Sequence, residues 1–164
     1  MRLARFMTRV VVAGLFVGHG TQKLFGWFDG PGIDETAASF DGMGLAPGRR
    51  HALAAGVAET AGGGLLALGL FTPIAAAVLS GVMVTAIRKV HGDKGPWITR
   101  GGYEYNLVLL AILAVLAEDG PGGGSLDAAL GLDMRGARWL AAELAAGAAG
   151  SALAVDSPLN TASR

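Results

Sequence analysis

TAGGGLLALGLFTPIAAAVLSGVMVTAI, residues 60–87, carries no charged side chain and decides the fold of this chain. The stretch is longer than the roughly 20 apolar residues with which a helix crosses a bilayer. Pro73 interrupts it, and proline disfavours helical geometry at the residue before it and in a helix interior. We therefore predict two helices, Ala52–Phe71 and Pro73–Val90, joined by a tight hairpin.

Two further apolar segments complete a set of four predicted helices. Val10–Gln22 and Tyr105–Ala117 are uncharged but shorter than a usual membrane span. Extending them to Arg5–Phe25 and Tyr103–Ala117 brings both close to spanning length, because long polar side chains near the ends can reach the membrane surface. The fold class predicted from this pattern is all-α, an integral membrane four-helix bundle.

The composition narrows the class of protein. Hydrophobic residues make up 52% and charged residues 16% of the chain, which also contains 27 glycines. A soluble bundle needs more charge to cover its surface, and none of the four segments shows a charged outer stripe. The 13 basic and 13 acidic residues cancel, so nucleic acid is not expected as a partner. With no cysteine, the chain has no disulfide, thiolate metal site or dithiol chemistry of its own.

The segments between and after the helices are predicted from their polar and Gly/Pro-rich composition. We expect loops at Gly26–Arg50, Gly92–Gly102 and Glu118–Ser125. In the first helix, Gly14 and Gly18 form a small-xxx-small pair, which is a helix-packing signal.

The C-terminal segment is predicted to add a helix to the bundle. Between Asp133 and Val155, alanines recur every four residues and favour close helix packing. Charged side chains at its start, Glu143 among them, disfavour a fifth span. We therefore expect a helix that packs against the bundle or lies at the membrane interface, followed by a frayed end from Asp156.

The polar residues of the four helices fall on one side of the predicted bundle. Antiparallel packing places the end of helix one, the start of helix two, the end of helix three and the start of helix four in one leaflet. The polar side chains near those ends are His19, Gln22, Lys23, Glu59, Arg88, Lys89, Glu104, Tyr105 and Asn106. The opposite helix ends show no comparable group, so we expect a polar cluster in one membrane half.

Glu59 is the most informative member of this cluster. An unpaired ionisable residue inside a span costs several kcal/mol, so it normally faces the bundle and has a partner. Lys23, Arg88 and His19 are the candidates for that partner. A structural ion pair that fixes helix register and a ligand or proton site both account for such a residue, and a water-exposed Glu59 is the third reading.

Several motifs of the chain match a known family in order and spacing. They are GHGTQKLFGWF at 18–28, GPG at 30–32, Glu59 followed by Gly62-Gly63, GYEYN at 102–106 and GPG at 120–122. Over about residues 5–132 the chain resembles the DoxX family of small bacterial membrane proteins. The resemblance implies a four-helix transmembrane domain at 1–132, a C-terminal helix and tail at 133–164, and a multi-pass location in the bacterial plasma (inner) membrane.

The resemblance also implies a redox setting without assigning catalytic residues. Family members are tied to oxidative-stress complexes with a superoxide dismutase and a sulfurtransferase, and a related branch is a subunit of thiosulfate:quinone oxidoreductase. We therefore expect an accessory subunit of a quinone-linked oxidoreductase that binds a quinone-like or other small lipophilic ligand in the polar leaflet. The alternative is a non-catalytic membrane scaffold that recruits soluble redox enzymes through Gly26–Arg50. A transporter is less favoured, because one-sided polarity offers no continuous polar path.

The candidate site is assigned to ligand binding or proton relay. Its residues are His19, Gln22, Lys23, Glu59, Arg88, Glu104, Tyr105 and Asn106. A quinone is the candidate cofactor, and no metal site is predicted because the three histidines lack ligand spacing. Membrane lipid is an expected partner and self-association a further candidate, while basic residues on both sides leave the membrane orientation open.

Overall fold

In the computed structural model, residues 2–157 are described, and within that range every regular element is helical. The α-helices are α1 (Arg2–Phe25), α2 (Gly32–Gly42), α3 (Gly48–Leu68), α4 (Thr72–Ala86), α5 (Glu104–Asp119), α6 (Leu126–Ala129) and α7 (Ala137–Asp156). The all-α class is confirmed. The helices predicted at 5–25, 52–71, 73–90 and 103–117 correspond to α1, α3, α4 and α5.

The hairpin between α3 and α4 forms where proline predicts it. α3 ends at Gly69, whose φ of 61° is left-handed and suits a residue without a Cβ atom. The amide of Leu70 donates to the carbonyl of Leu65 at 3.0 Å, which satisfies an end carbonyl of α3. Pro73 lies in the first turn of α4, where its missing N–H leaves no hydrogen bond unmade.

The hydrophobic core lies where α1, α3, α4 and α5 meet. It consists of Val12, Ala13 and Phe16 of α1, Leu66 of α3, Ala75, Ala76, Leu79 and Met83 of α4, and Leu109, Leu113, Leu116 and Ala117 of α5. These buried side chains come from the apolar stretches that define the four predicted helices.

Glycine brings α1 and α3 close together, but not the glycine pair predicted from the sequence. A Cβ atom on Gly20 would lie 2.7 Å from the carbonyl oxygen of Gly56, so the two backbones touch there. Gly14 and Gly18 have no neighbouring atom within 4 Å of such a Cβ position. The prediction for that pair is wrong, because both face away from α3, whereas Gly20 lies on the contact face.

α2 lies within the segment Gly26–Arg50 that the sequence analysis predicts as a loop. It begins directly after Pro31 and carries Asp34 and Glu35 in its first turn, where the helix dipole favours acidic side chains. Thr36 and Ala37 are buried, and the helix packs against α3 and α1. The loop prediction is wrong for this part. The helix is short and polar and lies between glycines and prolines, so its composition is that of a loop.

α7 packs along α4 and α5. Glu143 of α7 contacts Ser80 of α4. Further along, Asp156 of α7 binds Arg88 at 2.7 Å in the π-helical turn that continues α4, so α7 runs parallel to α4. Of the two expected arrangements, packing against the bundle is the one observed. The frayed end is predicted to begin at Asp156, but Asp156 is the last residue of α7 and binds Arg88. Residues 158–164 of that predicted end lie outside the described residues.

One helical segment among residues 2–157, Thr72–Lys94, is both long and apolar enough to cross a membrane, with a mean hydropathy of 1.5. It consists of α4, a π-helical turn at Ile87–His91 and a 3₁₀ turn at Gly92–Lys94. α1 and α3 contain charged residues, and α5 has 16 residues. Four membrane spans therefore remain a prediction.

Candidate ligand-binding site

Lys23 and Glu59 form a buried ion pair between α1 and α3. The Lys23 Nζ lies 2.7 Å from Glu59 Oε2, and the side chains are 23% and 3% exposed. The close contact at Gly20, one turn earlier in α1, holds the two helices near enough for this pair to form. Of the three candidate partners predicted for Glu59, Lys23 is the one that forms the ion pair.

The pair lies in the wall of a cavity of about 580 Å³ between α3, α4 and α7, which the residues around the end of α2 cover on one side. We call this cavity the groove. Most of its lining is aliphatic or glycine, and Phe40, Met43 and Leu45 contribute the cover. Lys23 and Glu59 are the members of the predicted site that line it. A charged pair thus faces an otherwise apolar space.

One continuous face of α4 forms the floor of the groove. Ile74, Val78, Val82 and Ala86 lie four residues apart and all line it. α3 and α7 contribute mainly alanines to the two walls, including Ala55, Ala58, Ala146 and Ala154. The small side chains leave the space that larger ones would fill.

Further ionisable groups lie at the end of the groove nearest the predicted polar loops. His51, Lys89 and His91 line it there. The His91 Nδ1 lies 2.6 Å from the carbonyl oxygen of Gly101, which holds the ring in place. Site predictions from the sequence did not include these three residues.

The position of Lys89 in the groove could have been predicted from the rotation of successive residues around the helix. It lies seven residues after Val82, which places both on one helix face, whereas Arg88 is rotated by about 100° from Lys89. The sequence analysis placed Arg88 in the site because of its position at the helix end. In the structure Arg88 faces α7 instead, where it binds Asp156 and the carbonyl of Ser151.

His19 and Gln22 lie beside the ion pair but outside the groove lining. The His19 Nδ1 lies 3.2 Å from Gln22 Oε1, and Gln22 Nε2 donates to the carbonyl of Phe28 at 3.4 Å. The backbone carbonyl of His19 accepts from Lys23 Nζ at 3.4 Å. These contacts orient Lys23 and the turn after α1.

The remaining predicted residues, all on α5, lie away from the ion pair. Glu104 accepts a hydrogen bond from the Ile98 amide at 2.7 Å, which fixes the loop before α5. Tyr105 is exposed. Asn106 is buried and its Nδ2 donates to Met83 Sδ at 3.5 Å, behind a methionine that lines the groove.

A second polar cluster lies at the opposite end of the bundle. Arg9 of α1 is fully buried and donates to the carbonyls of Pro121 and Gly124 at 3.0 and 2.8 Å. Asp127 accepts from the Phe71 and Thr72 amides at 2.7 and 3.1 Å and from the Thr72 hydroxyl at 2.8 Å. The prediction that one leaflet alone holds buried polar groups is therefore wrong.

This second cluster was missed because its partners lie in backbone far from Arg9 in the sequence. Carbonyl acceptors from a glycine-rich turn carry no side-chain signal. Asp127 follows a Gly-rich segment and resembles an ordinary helix-start residue, although it ties α6 to the start of α4.

Glu143 and Ser80 form a third buried contact, between α7 and α4. Glu143 is buried and its Oε1 accepts from the Ser80 hydroxyl. Its Oε2 is buried too and has no hydrogen-bond partner among the described residues. The contact lies where Gly147 lets the two helices approach closely.

Sequence comparison relates the part of the chain that forms the first four helices to a known family. The DoxX family model matches residues 4–92, more than half of the chain. The chain belongs to the DoxX family. Comparisons with curated proteins and with solved structures find no significant match. The matched region of this DoxX protein contains α1 to α4, and with them the Lys23–Glu59 pair and the floor of the groove.

Membership of the DoxX family supports the assignment of the chain as a membrane protein. The match ends at Gly92, so the motifs at 102–106 and 120–122 lie beyond it. α7 and Asp127 also lie outside the matched region. The wall of the groove that α7 forms therefore comes from this additional part of the chain.

Proposed function

We propose that this DoxX protein is a multi-pass protein of the bacterial plasma (inner) membrane that binds a small lipophilic ligand in the groove. The observation that carries the proposal is a buried ion pair, Lys23–Glu59, in the wall of an otherwise apolar cavity of about 580 Å³. Ligand sites of this kind are mostly apolar, with a few polar groups that fix orientation.

The ion pair retains hydrogen-bonding capacity for a ligand. A lysine ammonium has three N–H donors. The Lys23 Nζ has two acceptors in the protein, Glu59 Oε2 at 2.7 Å and the His19 carbonyl at 3.4 Å. The third donor is available to a carbonyl or hydroxyl group in the groove. Glu59 can exchange a proton with such a group through Lys23 or directly.

A quinone is the first candidate ligand, and the role that follows is that of an accessory subunit in a membrane redox complex. A quinone needs an apolar slot, a donor at a carbonyl and a proton route during reduction. Lys23 supplies the hydrogen-bond donor, and Glu59 supplies a carboxylate that can accept and release a proton on the route from water. Because the chain has no cysteine, the electrons come from another component.

The test is a binding titration of the protein in detergent micelles with a quinone that carries one isoprene unit. We expect Glu59→Gln to weaken binding at least tenfold, about 1.4 kcal/mol, because Lys23 loses its anionic partner and the site loses a carboxylate that can exchange protons. Glu118→Gln is the matched control, since Glu118 is exposed at the end of α5. Unchanged affinity in Glu59→Gln, or no binding by the wild-type protein, would overturn the proposal.

A scaffold that recruits soluble redox enzymes is the second candidate function. The observation that favours it is that α2 is an ordered helix whose first turn presents exposed Asp34 and Glu35. Replacing both by Ser should then abolish co-purification of a redox enzyme while quinone binding persists. Loss of quinone binding without loss of the partner would argue for the groove instead.

A further inference from the structure

The groove is longer than a compact ligand needs. Its helical floor, formed by α4 and the π-helical turn that follows, extends from Ile74 to His91, a length of about 25 Å. One leaflet of a bilayer supplies roughly half of a hydrocarbon core about 30 Å thick. The groove therefore extends over more than the depth of one leaflet.

Helix register places the ion pair near the middle of this length. A Cβ atom on Gly62 would contact Leu79 at 3.0 Å and Val78 at 3.7 Å, so α3 and α4 are antiparallel with these residues at one level. Glu59, about one turn before Gly62, then lies near the level of Val82. Ile74 lies about 12 Å further towards the hairpin.

Polarity divides the groove at the level of the ion pair. The ionisable lining residues are at that level or nearer the loop end: Lys23, His51, Glu59, Lys89 and His91. The part towards the hairpin is lined by Ile74, Ala77, Val78 and Ala146. We call this part the apolar half. One end of the groove thus suits a polar group and the other a hydrocarbon.

The apolar half keeps its width because α7 presents small residues to it. Ala146 and Gly150 line the groove one turn apart. A Cβ atom on Gly150 would lie 4.0 Å from the Cα of Gly81, so this region of α7 lies close to α4 without filling the space beside it. Ala146 and the ion pair line the same groove.

From this arrangement we infer that the ligand is a long-chain lipid, with its polar head beside Lys23–Glu59 and its single hydrocarbon chain in the apolar half of the groove. The inference rests on the proposed function and names its ligand class. The hydrocarbon chain of the lipid would bury apolar surface of the groove that a head group alone does not contact. It therefore contributes binding free energy in proportion to that surface. An acyl and an isoprenoid chain share this chemistry.

The experiment compares two quinones with the same ring, one with a single isoprene unit and one with a long polyisoprenoid tail. Their affinities are measured for the wild-type protein, Ala146→Leu and Ala148→Leu at one detergent concentration. Both alanines are exposed on α7, but Ala146 lines the groove and Ala148 does not. Val78→Trp narrows the apolar half from the α4 side. It provides a second test if Ala146→Leu fails to fold.

We expect the long-tailed quinone to bind the wild-type protein at least tenfold more tightly than the short-tailed one. Ala146→Leu and Val78→Trp should reduce that ratio to near one, while Ala148→Leu should leave it unchanged. Equal reductions in Ala146→Leu and Ala148→Leu, or no tail dependence in the wild type, would overturn the inference. If the short-tailed quinone still binds and needs Glu59, the proposed function survives such a result. If neither quinone binds, both fail.

A parallel arm distinguishes the two kinds of chain. A long-chain fatty alcohol and a polyisoprenoid alcohol are each tested as competitors of the long-tailed quinone. Competition by either one that Ala146→Leu abolishes supports a hydrocarbon chain in the apolar half and identifies its chemistry. Failure of both to compete contradicts the placement of the chain.

Discussion

The two ends of the helix bundle bury charged side chains in different ways. At one end, Arg9 donates to backbone carbonyls and Asp127 accepts from backbone amides, at distances of 2.7–3.1 Å. At the other end, Lys23 and Glu59 bind each other and face a cavity of about 580 Å³. We refer to these as the closed end and the open end.

This difference separates polar groups that hold the fold from those available to a ligand. At the closed end, the cluster ties the α3–α4 hairpin, α1 and α6 together through hydrogen bonds within the protein. Arg9 Nε is buried there without a hydrogen-bond partner among the described residues. At the open end, one donor of Lys23 remains. A buried charged residue alone therefore does not identify a functional site. A cavity beside that residue, large enough for a ligand, does.

The largest expected effect is on stability at the closed end. Asp127→Asn replaces one carboxylate oxygen with an NH2 group, which cannot accept hydrogen bonds such as the two that Thr72 donates to Oδ2. We expect a loss of about 3 kcal/mol in the free energy of unfolding, with unchanged quinone affinity of the folded fraction. SDS titration in mixed micelles measures it, with exposed Asp119→Asn as control. A loss below about 1 kcal/mol would contradict the assigned role.

The next effect concerns the contact that brings α1 and α3 together. Gly20→Ala places a methyl group 2.7 Å from the Gly56 carbonyl oxygen, so the helices must separate. We expect about 2 kcal/mol of destabilisation and weaker quinone binding, because Lys23 moves away from Glu59. Gly18→Ala meets no atom within 4 Å and should be neutral or stabilising by up to about 1 kcal/mol. Equal effects of the two substitutions would show that Gly20 does not set this contact.

A double substitution tests whether the open end serves binding or register. Lys23→Met with Glu59→Gln removes both charges and approximately keeps the volumes. We expect quinone binding at least tenfold weaker, about 1.4 kcal/mol, and stability within about 1 kcal/mol of the wild type. The measurements are the binding titration and SDS unfolding of the same preparations. A large loss of stability with unchanged binding of the folded fraction would make the pair a structural one.

The smallest expected effect concerns α7. Ser80→Ala removes the hydrogen-bond partner of Glu143 Oε1, while Oε2 already has none among the described residues. We expect about 1 kcal/mol of destabilisation, confined to α7, because the carboxyl group can then find no partner on α4. Hydrogen exchange of α7 amides should rise several-fold, with Thr85→Ala as control. Unchanged exchange would show that this contact does not hold α7.

The sequence predicts these helices well because long runs without charged residues mark their positions. The charge-free run at 60–87 and Pro73 locate α3, α4 and their hairpin to within a few residues. α2 escapes detection because a short polar helix between glycines and prolines has the composition of a loop. The packing of α7 follows from its small residues, but its direction along α4 depends on contacts with Ser80 and Arg88.

The sequence predicts the centre of the candidate site but not its extent. The sequence names Lys23, Arg88 and His19 as candidate partners of Glu59, and the structure shows that Lys23 is the partner. The other members of the site depend on which face of the helix each residue occupies. Arg88 faces α7, and Lys89 faces the groove. The closed end could not be predicted, since Arg9 binds backbone carbonyls that no side-chain pattern reveals.

The most direct test of the central claim, that the open end is a binding site, is native mass spectrometry of the gently purified protein. We predict a lipid-soluble adduct on the wild-type protein that is lost in Glu59→Gln and retained in Glu118→Gln. A wild-type protein without any adduct, or an adduct equally retained in Glu59→Gln, would contradict the account.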